Sequence, residues 1–184
     1  GDQDMMVVSG SYEFMLDDPI TQDRFFENKN GNLVYNPKAL PEYFSSGSCV
    51  RAADFDRDGD IDLFVGGRVI PGDYPLPTSS YLLENITDVD AINFKISNQE
   101  RIPDLENIGL TSDALWSDFN NDGWIDLIVL CECQPIQFFE NRNGKFSKIN
   151  DSGVQNYNGF WNSITGSDLD KDGDIDYVVG NQGH

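Results

Sequence analysis

One nine-residue pattern, D-x-[DN]-x-D-G-x-x-D, occurs three times, as DFDRDGDID from Asp54, DFNNDGWID from Asp118 and DLDKDGDID from Asp168. In the first and third copies five aspartates crowd together, and an apolar run (IDLFVGG, IDLIVL or IDYVVG) follows each copy at once. Like charges at that density repel one another unless a cation lies among them. Glycine at the sixth position permits the sharp reversal that would bring the carboxylates round one centre.

Carboxylates at positions 1, 3, 5 and 9, with a main-chain carbonyl at position 7, are the hard oxygen set that wraps calcium. The first site is expected to use Asp54, Asp56, Asp58, the Asp60 carbonyl and Asp62. The second would use Asp118, Asn120, Asp122, the Trp124 carbonyl and Asp126. The third would use Asp168, Asp170, Asp172, the Asp174 carbonyl and Asp176. Magnesium keeps several waters and suits such a cage poorly, and zinc would want the histidine or cysteine that these loops lack. Helix-loop-helix calcium sensors place a bidentate glutamate at position 12, where this chain has Val65, Val129 and Val179. Asn120 leaves the middle loop with three carboxylates instead of four, so it is expected to bind calcium most weakly.

A second marker, FFENKNGNL from Phe25, YLLEN from Tyr81 and FFENRNGKF from Phe138, alternates with the loops. Two independent markers therefore report one repeat. The N-terminal GDQDMMVVSG reads as a fourth copy entered at its glycine, with Gly1 matching Gly59 and Asp4 matching Asp62. Repeat units are placed at 1–53, 54–117, 118–167 and, partially, 168–184, within one region spanning 1–184. PGDYPLPTSS and ITDVDAIN in the longest unit read as surface insertions. No helical periodicity persists for three turns, whereas each unit offers three or four short strand-like runs. The run after each loop is almost continuously apolar, as in a strand covered on both faces. Asn-Gly in NKNGN and NRNGK predicts tight hairpins. The fold class is all-β, with about three β-propeller blades and a partial one, and an exposed blade surface at one or both ends. Further blades are expected from the same parent chain or from other chains.

Acidic residues outnumber basic ones 32 to 12, giving a net charge of −20 that disfavours nucleic acid and anionic membrane surfaces. No stretch reaches the roughly 20 apolar residues of a membrane helix. Cys49, Cys131 and Cys133 form no disulfide framework and read as small buried hydrophobes, with Cys131 and Cys133 on one face of a strand. The only histidine is His184, and nothing pairs a nucleophile with a base, so no enzymatic activity is expected.

The stretches ADFDRDGDIDLFVGGR, SDFNNDGWIDLIVL and GSDLDKDGDIDYVVGN, with the hairpin FFENRNGKF, resemble the FG-GAP and VCBS repeat families of integrin α-subunit propellers, bacterial surface proteins and the cartilage acidic protein group. The resemblance covers nearly the whole chain and is closer to the VCBS type. It implies calcium loops on the rim of a β-propeller and an extracellular, cell-surface or periplasmic setting. The expected role is a calcium-stabilised binding or scaffolding module for a protein or glycan partner, with the Trp124 indole as a candidate ligand-binding face. The alternative is a part of a calcium-dependent polysaccharide-degrading enzyme.

Overall fold

The structure, a computed structural model, describes residues 3–15, 17–88 and 91–183. Gly1 and His184 lie outside the described residues, as do Val89 and Asp90 of the second insertion. Thirteen strands form four antiparallel sheets in chain order among the described residues. The first contains β1 (Met5–Val7), β2 (Arg24–Lys29) and β3 (Asn32–Tyr35); the second contains β4 (Ser46–Ala53), β5 (Asp62–Val69), β6 (Tyr81–Asn85) and β7 (Phe94–Ile96). The third contains β8 (Thr111–Ser117), β9 (Asp126–Cys131), β10 (Gln137–Arg142) and β11 (Lys145–Ile149); the fourth pairs β12 (Trp161–Ser167) with β13 (Asp176–Asn181). Each acidic loop falls inside a sheet, between its first and second strands, so loop-to-loop units and sheets are offset by one strand.

The apolar run after each loop is explained by what lies on its two faces. Successive side chains of a strand point to opposite sides. In β5, Leu63 and Val65 join Phe25, Tyr43 and Phe94 in a core shared with the first sheet, while Phe64 joins Phe139 and Phe146 in a core shared with the third. In β9, Leu127 and Val129 face that same core and Ile128 and Leu130 turn to Ile164 of the fourth sheet. A strand that serves two cores has no polar face to show, and all six residues of β9 are buried. Among the described residues the corresponding β13 pairs only with β12, and Val178 stays 53% exposed.

Neighbouring sheets are also tied by polar contacts. Asp113 on β8 accepts from the Arg51 guanidinium on β4 and, at 3.0 Å, from the Ile164 amide on β12, so one buried carboxylate joins three sheets. The Trp116 indole donates to the Arg51 carbonyl at 3.0 Å and the Trp161 indole to the Gln134 carbonyl at 2.8 Å. Both behave as packing residues, whereas Tyr157 is 66% exposed.

Asn30-Gly31 and Asn143-Gly144 form the expected two-residue hairpin turns, with φ of 56°, 86°, 55° and 74°. Those positive values at both central residues are the type I′ pattern that matches strand twist. The long connection between the second and third sheets adds one short helix, α1 (Asn98–Arg101), and a 3-10 turn, Pro103–Leu105. Ile102, Leu105 and Ile108 from this connection seal the core between those sheets. The cysteine expectation needs correction at one position. Cys49 and Cys131 are buried thiols, but β9 ends at Cys131, and Cys133 is exposed on a turn with φ of 58°. A tight turn after Cys131 takes Cys133 off the strand face.

Candidate metal centres

The three loops repeat one set of backbone torsions and hydrogen bonds. Position 6 is glycine with φ of 96°, 90° and 101° at Gly59, Gly123 and Gly173. Position 4 is also left-handed, with φ of 64°, 57° and 65° at Arg57, Asn121 and Lys171. Residues with a Cβ are disfavoured there by about 1–2 kcal/mol, so the loop must hold them in place.

What holds them is the carboxylates themselves. The position 6 amide donates to the position 1 carboxylate, Gly59 to Asp54 at 3.1 Å, Gly123 to Asp118 at 2.7 Å and Gly173 to Asp168 at 3.2 Å. The position 7 amide donates to position 5, Asp60 to Asp58 at 2.9 Å, Trp124 to Asp122 at 2.8 Å and Asp174 to Asp172 at 3.0 Å. Position 9 accepts from the position 2 amide, Phe55 to Asp62, Phe119 to Asp126 and Leu169 to Asp176, at 3.3, 3.1 and 2.9 Å.

Position 9 also ties the loop to the second sequence marker. Asp62 Oδ1 accepts from the Asn85 amide at 2.8 Å, and Asp126 Oδ1 from the Asn141 amide at 2.7 Å. Asp4 accepts from the Asn28 amide at 2.8 Å, which gives it the same place in the first sheet. The side-chain amides of these asparagines donate back to the carbonyls of Gln3, Ile61 and Ile125, at 3.1, 3.1 and 2.8 Å. The two markers are the halves of one joint between loop and hairpin.

In the first loop Asp54, Asp56 and Asp58 each offer an oxygen within 4.8 Å of the others, and in the third Asp168, Asp170 and Asp176 do so. Asp54 Oδ1 and Asp56 Oδ1 are buried without any hydrogen-bond donor. Buried acceptors left unpaired are uncommon because each forfeits its hydration, and clustered carboxylates with oxygens to spare are a fit for a hard divalent cation. Burial pushes the Asp62 carboxyl up to about 7 and Asp126 up to about 6, against the opposing pull of their two amide donors. Burial and the neighbouring Asp58 likewise raise Asp56, while Arg101 draws it back. Asp60, Trp124 and Asp174 occupy position 7 of the three loops.

The middle loop differs. The Asn120 side-chain amide donates to Asp122 at 3.1 Å and to Glu140 at 3.2 Å. Glu140 precedes the marker asparagine, as Glu27 and Glu84 do. In the second sheet Arg101 from α1 bridges Asp56 and both oxygens of Glu84, at 3.0, 3.0 and 3.1 Å, and lies 5.5 Å above the Phe55 ring. Sequence reasoning missed Arg101, Glu84 and Glu140. The recurring Glu-Asn pair could have flagged the glutamates, but Arg101 belongs to a connection with no repeat counterpart. The Trp124 indole is half-buried, with the Arg57 guanidinium 4.2 Å above its ring. It lines a concavity of about 510 Å³ with Asn120, Asp122, Glu140, Arg142 and Asn143.

Sheets stacked in series, three of the four with an acidic loop between their first two strands, define a β-repeat protein whose unit is the loop and hairpin together. The FG-GAP-like repeat family matches residues 118–179, from the start of the second loop to the valine after the third. The chain therefore carries an FG-GAP-like repeat. No curated protein matches it.

Proposed function

We propose that the chain is a calcium-binding, calcium-stabilised module of β-propeller type from a secreted or surface protein, serving to bind or scaffold a partner and not to catalyse. The observation that carries the reading is the pair of buried, unpaired carboxylate oxygens on Asp54 and Asp56. Bound calcium would supply the positive charge those oxygens lack. Asp54, Asp56, Asp58 and Asp62 with the Asp60 carbonyl would hold it in the first loop, and the matching residues from Asp118 and Asp168 would do so in the other two. Extracellular calcium modules work at about 10⁻⁴–10⁻³ M, which motivates the extracytoplasmic setting. The concavity beside Trp124 offers one aromatic edge among polar side chains, a composition suited to a glycan or a protein loop.

At calcium about tenfold above each dissociation constant, three independent sites contribute about 4 kcal/mol. For a chain of this size that is an increase of roughly 10 °C in melting temperature. Calorimetric titration of the dialysed protein should find three calcium sites, and EGTA should reverse the thermal shift. Identical melting curves with calcium and with EGTA would overturn the calcium reading. A glycan array compared with Trp124→Ala tests the partner surface, and a signal insensitive to that change excludes it.

A further inference from the structure

The loops are not isolated from one another. Arg57 at position 4 of the first loop donates to the Gly123 carbonyl of the second and stacks on Trp124 at position 7, 4.2 Å from its ring. Asn121 at position 4 of the second loop donates at 2.8 Å to Asp174 at position 7 of the third. The same step, from position 4 of one loop to position 7 of the next, is taken twice with different chemistry. Position 4 lies between two expected metal-holding residues, Asp56 and Asp58 or Asn120 and Asp122. Position 7 is where the next loop presents its carbonyl. Fixing one loop therefore fixes the side chain that braces the next.

Resting on the calcium reading above, we propose that Arg57 and Asn121 are positioning residues that couple neighbouring sites, so that calcium held in the first loop raises the affinity of the second, and the second that of the third. Arg57 touches the Gly123–Trp124 peptide, and a loop held in its binding torsions has less conformational freedom to lose when metal arrives. Coupling between sites is reciprocal, and its lower range is about fivefold in affinity. That is the scale expected for an exposed guanidinium on an indole.

The Gly59, Gly123 and Gly173 amides each donate to the position 1 carboxylate of their own loop, so their NMR resonances report the three sites separately. Calcium titrations of the full chain should be followed on these signals. In the wild type, Asp58→Ala in the first loop should move the Gly123 midpoint to about fivefold higher calcium. Arg57→Ala should weaken the second loop similarly and abolish its response to Asp58→Ala. Arg57→Lys, which keeps the charge and loses the planar fork, should fall between. A purely electrostatic Arg57 predicts the opposite sign, because removing a cation between two acidic loops tightens both. A Gly123 midpoint unchanged or lowered in Arg57→Ala overturns the coupling while leaving calcium binding intact. Glycine resonances that ignore calcium altogether remove both readings.

Discussion

Arg101→Met isolates the charge clamp beside the first loop while keeping an aliphatic stem against Phe55. The guanidinium is 22% exposed and its partners Asp56 and Glu84 only 11% and 10%. Removing one side of a fully buried ion pair costs about 3–5 kcal/mol, because the other charge is left in low dielectric. Partial exposure and the surviving Lys95 contact to Glu84, at 3.1 Å, reduce that penalty. A cost of about 2 kcal/mol is expected in the calcium-free protein. Asp56 uses Oδ2 for Arg101 and leaves Oδ1 unpaired. A cation at Oδ1 would take over part of the lost compensation, so the cost with calcium should fall to about 1 kcal/mol. Urea unfolding with EGTA and with calcium measures both, and the calcium-free midpoint should drop by about 1 M. A calcium-free cost below about 0.5 kcal/mol, or one that calcium does not reduce, would refute the assignment of Asp56 to both partners.

Asn120→Asp exchanges an amide that donates to Glu140 for a carboxylate that repels it. It should lower the melting temperature in EGTA and tighten the weakest calcium step, two opposite signs readable by thermal melts and calorimetry. A Cβ on Gly144 would lie 2.8 Å from Asp56 Cβ and 2.9 Å from Arg101 Nη1, whereas one on Gly31 meets nothing within 4 Å. Gly31→Ala should cost about 1 kcal/mol from its positive φ alone, and Gly144→Ala about 1–3 kcal/mol more from overpacking, both read by urea unfolding. Asp23 is held above the ordinary carboxylate range by burial, although the Ser9 amide and the Tyr43 hydroxyl favour its charged form at 2.6 and 2.7 Å. The folded state therefore binds this proton more readily than the unfolded one, and stability from this group declines as pH rises from about 4 through the raised value. Tyr43→Phe removes a donor to the ionised form, so its destabilisation should be smallest at about pH 4 and grow toward about 1.5–3 kcal/mol as pH rises through the raised value, read by urea unfolding across pH.

Much of this arrangement is legible in the sequence because the repeat presents each requirement more than once. A glycine five residues after an aspartate is a weak signal alone, but three in register, each followed by a nearly continuous apolar run, specify where loops and sheets fall. Asn-Gly specified the hairpins because only residues tolerant of positive φ fit a type I′ turn. The alignment of Asp4 with Asp62 is matched by the structure, whereas the bond between Asp4 and the Asn28 amide was not legible. What was not legible depends on contacts between residues distant in the chain. Arg101 sits 45 residues from Asp56, on a helix too short for periodicity to announce. Arg57 and Asn121 look like ordinary polar loop residues until the next loop is placed beside them. Cys133 differs from its expected place because the strand stops at Cys131, and the proline that signals the break, Pro135, comes only after the turn.

Position 9 links the expected metal chemistry to the fold. Asp62 and Asp126 are fully buried, and each divides its two oxygens between an amide of its own loop and an amide of the following hairpin. A carboxylate so placed is a structural bracket before it is a ligand. Without a cation, the burial that raises these carboxyls and the aspartates opposite them work against that bracket. With one, the same ionised group serves loop and sheet together. Asp176 keeps the loop contact to Leu169, but among the described residues no hairpin asparagine reaches it. Among the described residues its oxygen lies within 4.8 Å of carboxylate oxygens at positions 1 and 3.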